Sequence, residues 1–193
     1  MVHIPVVADY DGLERLVEKA LKTLETSPMK MRGVGDITAE FGRVHIHETS
    51  NGHIAIGLEL AAATSRQWLK PRGTVWMTAR PVLRPGSQQL EVDEVVITGT
   101  PANASFAALL AVARSQLVRD QIGRALSRDF TAERTQVLAA AMAALSSRRM
   151  GDFRLAAKIE TLDHGALQVT GQGIALPIRA TGSAIMQLDQ VMP

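Results

Sequence analysis

The chain has 193 residues, 21 of them basic and 19 acidic, for a net charge of +2, with 46% hydrophobic residues and no cysteine. That is enough apolar material for one independently folding domain spanning residues 1–193, and it excludes disulfides, cysteine-based zinc sites and a thiol nucleophile. The small charge surplus and the 4% aromatic content supply neither an electrostatic footprint nor stacking platforms for a nucleic acid, so no nucleic-acid partner is expected.

After Met1 the sequence opens with strand-like VHIPVV and then a charged helix. This is not a signal-peptide pattern, so a cytoplasmic or an already processed protein is expected. The apolar stretches FAALLAVA and VLAAAMAAL are cut short by Arg114 and Arg148, well below the roughly 20 residues that cross a bilayer. No membrane span is expected.

Residues 2–8 read as a strand leading to a helix from about Asp11 to Leu24, capped by Asp9 or Asp11. Leu13, Leu16, Val17, Ala20, Leu21 and Leu24 repeat at the 3,4 spacing of one apolar face. Pro28, Gly33 and Gly35 break the pattern, and a long strand begins at Asp36. Ile37, Ala39 and Phe41 share one phase while Val44 and Ile46 take the other, which predicts a bulge near Gly42. A three-residue loop at Ser50-Asn51-Gly52, with a type I turn at Ser50-Asn51 and Gly52 left-handed, then pairs Thr49 with His53. That register places Ile46 opposite Ile56 and Val44 opposite Leu58 on one dry face, with His45, His47 and His53 on the other.

A second hairpin follows in GTVWMTARPVLRPGSQQLEVDEVVITGT, turning at Arg84-Pro85-Gly86-Ser87. Its returning strand changes phase between Leu90/Val92 and Val95/Ile97, a second bulge, and Pro81 argues for an edge or a bulge in the outgoing strand. From Asn103 to about Arg128 the period is helical. Phe106, Leu109, Leu110, Ala113 and Leu117 form one stripe, and Val118, Ile122 and Leu126 form another rotated around the axis, the pattern of a helix enclosed on several sides or kinked. A further helix, Ala132 to about Ser146 with Thr131 as cap, carries Leu138, Ala141, Met142 and Leu145. Strands return from Phe153 to Leu188, separated by Asp163-His164-Gly165 and by Gly171 and Gly173. All strand connections read as short antiparallel meanders.

Catalytic templates do not fit. Gly171-Gln172-Gly173 leads into strand-like IALPI instead of a helix, and no phosphate loop, nucleophile elbow or H-E-x-x-H occurs. Without a legible nucleophile, no enzymatic activity and no cofactor are expected. Asn103-Ala104-Ser105 matches a glycosylation sequon but reads better as a helix start. His45, His47 and His53 share a strand face, yet Thr49 and Ala55 beside them supply no further ligand or supporting shell, so a solvated face is expected and no metal. Arg114, Arg119, Arg124 and Arg128 could meet anionic headgroups. The simpler expectation is a solvated helix face with Asp120 paired to Arg124.

The segments VHIPVVADYDGLERLVEKAL, GTVWMTARPVLRPGSQQLEVDEVVITG and GIALPIRATGSAIMQL, with the helices between them, resemble bacterial domain-of-unknown-function proteins of the tubular lipid-binding (TULIP) superfamily. The related bacterial proteins look longer, as if two units were joined, so the resemblance implies one such unit. It implies an α+β fold, a strongly curved, bulged antiparallel sheet wrapped around a long helix, with an apolar groove for lipid acyl chains and a place in the periplasm or cell envelope. The bulged strands, the rotated stripe and the small residues of AAAMAAL, which could leave internal space, agree with it. Val44, Ile46, Ile56 and Leu58 on the hairpin, facing Phe106, Leu110 and Leu117 on the helix, are then the expected ligand-binding walls. The expected partner is a lipid or other apolar small molecule, with peripheral membrane contact. The alternative is a structural or protein-interaction module of the cell envelope whose core is filled by its own side chains.

Overall fold

The structure, a computed structural model, describes residues 2–25, 28–31, 35–64, 70–84, 89–101, 103–129, 131, 135–136, 139–140, 142–143, 148–150 and 153–188. Strand β1 (Val2–Asp9) runs into helix α1 (Tyr10–Lys22), whose start is fixed by the Asp9 carboxylate accepting the Gly12 N–H at 2.7 Å. Tyr10, Leu13, Val17 and Leu21 form its buried stripe. Leu16, expected on that stripe, is 41% exposed.

Strands β2 (Met29–Met31), β3 (Gly35–Glu48), β4 (Ile54–Thr64), β5 (Arg72–Leu83), β6 (Gln89–Val96) and β7 (Arg128–Asp129) form a six-stranded antiparallel sheet in that spatial order. The hairpin register is the expected one: Val44 faces Leu58 and Ile46 faces Ile56, and the Thr49 N–H donates to the His53 carbonyl at 2.9 Å. The turn differs in one respect, since Asn51 (φ 62) as well as Gly52 (φ 72) is left-handed, the Asn-Gly chemistry that matches strand twist. The pairing slips between Phe41 and Val44, the first expected bulge. It slips again between Thr78 and Arg80 of β5, where Glu94 of β6 takes φ 55. Pro81 lies beyond Ala79, the last residue of β5 paired with β4, so its missing N–H costs no ladder bond. The turn expected at residues 85–87 lies outside the described residues.

Helices α2 (Ala104–Arg114) and α3 (Gln116–Leu126) follow. Asn103 caps α2, its side chain accepting the Phe106 N–H at 2.9 Å. Where one continuous helix was the simplest pattern, Ser115 is extended (ψ 142) and serves as the C-cap of α2 and the N-cap of α3. The sheet curls around the helices as a half-barrel: α1 lies on β3, α2 on β4 and β5, and α3 on β6 and against α1. One apolar core results, and among the described residues it holds no buried polar or charged side chain.

The expectation of purely local meanders fails elsewhere. Strands β8 (Arg148–Met150), β9 (Phe153–His164), β10 (Gln168–Thr170) and β11 (Gly173–Leu188) form a second, five-stranded sheet with β1, in which β11 pairs with both β1 and β9. Val2 faces Ala180 and Asp9 faces Gly173, a pairing across nearly the whole chain. Ile174 of β11 joins the common core. The Tyr10 hydroxyl donates to the Thr170 carbonyl at 2.7 Å and ties α1 to β10.

Much of the helix expected over residues 132–146 lies outside the described residues. Residues 131, 135–136, 139–140 and 142–143 are helical. The Asp129 carboxylate accepts both the Thr131 N–H (2.8 Å) and its hydroxyl (2.6 Å), and the N–H groups that a Thr131 cap would accept lie outside the described residues. Ala139, Ala140 and Met142 are exposed, so these residues of the AAAMAAL segment leave no space inside.

α1 contributes more than its apolar stripe. β2 pairs with β3 only over Gly35–Ile37, so beyond Ile37 no strand among the described residues covers that edge of β3. Three carboxylates occupy it instead. Glu25 accepts the Phe41 N–H at 2.8 Å, Glu18 the Val44 N–H at 3.0 Å and Glu14 the Ile46 N–H at 2.7 Å. Open strand edges template unwanted pairing, and here Glu14 and Glu18 of α1, with Glu25 from the turn after it, close one with side-chain acceptors.

Candidate functional site

The expected ligand walls come together in the core. Val44, Ile46, Ile56, Leu58 and Leu110 are each at most 5% exposed and belong to one cluster, with α2 lying on β4 and β5. Phe106 is partly buried against the same cluster. Leu117 is placed differently: seven residues past Leu110 on an unbroken helix it would face the sheet, but the break at Ser115 turns it out, 45% exposed. Val118, Ile122 and Leu126 take the inward positions on α3. The seam where α2 lies on β4 and β5 is thus apolar among the described residues and occupied by the protein's own side chains, while the β3 half of the hairpin, with Val44 and Ile46, is covered by α1.

A cleft of about 920 Å³ runs beside this seam between β6 and α3. Glu91, Val92, Glu94 and Val95 line it from the strand, and Gln116, Arg119, Asp120, Gly123 and Arg124 from the helix. The carboxylates of the strand side already have partners, Glu91 with Arg84 at 2.8 Å and Glu94 with Arg80 at 3.3 Å. Arg124 donates through Nε to the Asp120 carbonyl at 3.3 Å, not to its carboxylate as the helical spacing suggested. Neither Arg119 nor Arg124 forms an ion pair with a described residue. Sequence reasoning missed this cleft because its two sides are separated by the whole of α2. The signals were the phase change before Val95 and the 3,4 stripe of polar residues on α3.

The outer face of the sheet carries the histidines. His45 Nε2 lies 3.4 Å from Glu59 Oε1, the His47 ring meets Trp76 edge-on with centroids 5.1 Å apart, and His53 Nδ1 donates to the Asn51 carbonyl at 3.0 Å. His45 and the neighbouring Arg43 hold the Glu59 carboxyl below the usual carboxylate range. Among the described residues no three His, Cys, Asp or Glu side chains converge as metal ligands. Trp76 lies across Gly57, where an added Cβ would come within 2.6 Å of the indole ring. A second depression of about 410 Å³ sits at the first bulge, beside Gly42, Glu59 and Arg72. No helix among the described residues is long and apolar enough to cross a membrane.

An α+β domain with a curled antiparallel sheet, its helices seated in the concave face and an apolar seam beneath them, is the class that fold and site define. The chain belongs to the DUF4403 family, a domain of unknown function, whose sequence profile matches residues 1–188. None of the curated proteins compared matches it. Among solved structures it is similar to a crystal structure of lipopolysaccharide binding protein, with 11% identity and a TM-score of 0.37 over 99% of this chain. The chain spans about half of that protein's length, 52%.

Proposed function

We propose that this protein binds a hydrophobic ligand, a lipid acyl chain, between the β3–β4 hairpin and the α2–α3 pair, without covalent chemistry of its own. The observation that carries this reading is the seam itself, which among the described residues contains no buried polar or charged group. Such a surface leaves no polar group to be desolvated by an acyl chain, whose burial is worth about 25 cal/mol per Å². The resemblance to the tubular lipid-binding superfamily supports the reading and, with it, a location in the cell envelope. Entry of an acyl chain requires α2 to move off β4 and β5, and the break at Ser115 supplies a joint on which it can move without carrying α3.

A structural module with a self-filled core is the second reading. It is favoured by the near-complete burial of Val44, Ile46, Ile56, Leu58 and Leu110. The variant Leu110→Trp separates the two. For a seam that opens to ligand, the larger ring occupies acyl space, so uptake of a fluorescent fatty acid falls while the fold survives. In a self-filled core the ring overpacks and costs about 1–3 kcal/mol. A wild type that takes up no fatty acid and yields no lipid on organic extraction, with a strongly destabilised variant, decides for the structural module.

A further inference from the structure

We propose that the cleft between β6 and α3 binds an anionic phosphate-ester headgroup, carried by an amphiphile whose first apolar carbons lie along Val92 and Val95. The inference rests on the lipid-binding reading and adds to it a second, polar subsite outside the apolar seam.

Charge decides the chemistry. The strand side is neutralised by its own pairs, Arg84 with Glu91 and Arg80 with Glu94, so among the described residues the charged groups of α3 that line the cleft without an ion pair are Arg119, Asp120 and Arg124, the last with its Nε on the Asp120 carbonyl and its terminal nitrogens left to a ligand. The balance is one positive charge, presented by two guanidinium groups. Guanidinium forks match phosphate oxygens two at a time, which a single ammonium cannot do.

Shape agrees. The cleft, of about 920 Å³, is open to solvent and lined by more polar than apolar surface, which suits a hydrated headgroup rather than an enclosed apolar molecule. Gly123 stands inside α3, where glycine weakens a helix relative to alanine, and a Cβ built there meets nothing within 4 Å. No packing requires glycine at this position, and its bare backbone widens the cleft. Val92 and Val95 are partly buried against the main core, so the floor offers an apolar surface that leads towards the seam.

The strand edge excludes the main competing occupant. β6 pairs with β7 only at Gln89 and Leu90, and a free edge beside a helix is where an extended peptide adds a strand. Here Glu94, at φ 55, breaks the edge after Asp93. A bulge at that point prevents a continuous ladder, leaving space for a compact headgroup but not for a strand.

The test uses the whole chain and three probes sharing chemical parts: a lysophosphatidic acid, the monoacylglycerol with the same acyl chain, and glycerol 3-phosphate. The wild type is expected to bind the lysophosphatidic acid at least tenfold more tightly than the monoacylglycerol, and glycerol 3-phosphate far more weakly than either. The Arg119→Gln/Arg124→Gln double variant should lose the tenfold preference with an unchanged melting temperature, and Gly123→Leu should weaken lysophosphatidic acid binding tenfold or more. Equal wild-type affinity for the two lipids, or a preference that survives both variants, overturns the proposal. Glycerol 3-phosphate binding as tightly as the lysophosphatidic acid overturns its lipid part and leaves a free-anion site. Monoacylglycerol binding that responds to Leu110→Trp but shows no anion preference refutes the cleft alone. Failure to bind either lipid removes the lipid-binding reading with it.

Discussion

Replacing Glu18 by alanine removes the acceptor of the Val44 N–H, and replacing Glu14 removes that of Ile46, while leaving the buried stripe of α1 intact. Each carboxylate accepts one backbone N–H, at 3.0 and 2.7 Å respectively. A hydrogen bond to a charged group contributes about 1.5–3 kcal/mol. Both positions are only part-buried, so water can replace some of the loss, and each alanine variant should cost about 1–2 kcal/mol. Glutamine keeps an oxygen acceptor but not the charge, and neutral bonds are roughly half as strong, so Glu18→Gln should cost about half as much as Glu18→Ala. Urea unfolding measures these differences, with an unchanged slope showing that the unfolded state is unaffected. Amide hydrogen exchange supplies the local reading, and Val44 and Ile46 should lose protection selectively in the matching variant. If both alanine variants stay within about 0.5 kcal/mol of wild type, the range of ordinary surface substitutions, and the two amides exchange at wild-type rates, the carboxylates do not close the edge.

Tyr10→Phe removes the hydroxyl that donates to the Thr170 carbonyl and should cost about 0.5–1.5 kcal/mol. Burial, and secondarily the charge of Glu48, raise the Tyr10 phenol above its ordinary value. The stabilisation is therefore fully present below the unfolded tyrosine value and lost as pH rises through the folded one. Melts across the alkaline range should show wild type and Tyr10→Phe converging, and parallel curves would rule the bond out as a contributor. Gly57→Ala should destabilise by about 1 kcal/mol, because its Cβ would come within 2.6–2.9 Å of three Trp76 ring carbons and displace the indole from its cross-strand contacts. In a Trp76→Ala background the same change should stabilise by about 0.5–1 kcal/mol, the usual gain over glycine in a strand. A change of the same sign in both backgrounds would refute the steric account.

Local elements were legible because their signals are local. The phase change between Phe41 and Val44 located the first bulge, that between Val92 and Val95 the second, and Ser50-Asn51-Gly52 set the hairpin register that brings Val44 opposite Leu58 and Ile46 opposite Ile56. Asn103 as the α2 cap followed from side-chain chemistry alone. The break at Ser115 was harder to read, since no proline or glycine interrupts FAALLAVARSQLV; only the rotation of the apolar stripe hinted at it. That break is why Leu110 reached the expected wall and Leu117 did not. Glu14, Glu18 and Glu25 carried no signal of their role, because hydrophobic periodicity assigns a helix its greasy face and is silent about long carboxylates at its flank. The pairing of Val2 with Ala180 carries no local pattern. The β6–α3 cleft likewise exists only after Val95 and Arg119 have been brought together by tertiary packing.

The same Val2–Ala180 pairing imposes an order on biosynthesis. All strands of the six-stranded sheet, and the helices in its hollow, have been synthesised once Asp129 has been made, so that half has its pairing partners early. β1 does not: its partner β11 ends at Leu188. At about 5–20 residues per second the first strand waits roughly ten to forty seconds with its ladder unmade. For that interval the opening strand is the segment most open to chaperones and to mispairing. A ribosome-bound chain stalled before Gly173 should therefore show a protease-resistant α1-to-β7 body and a cleavable β1.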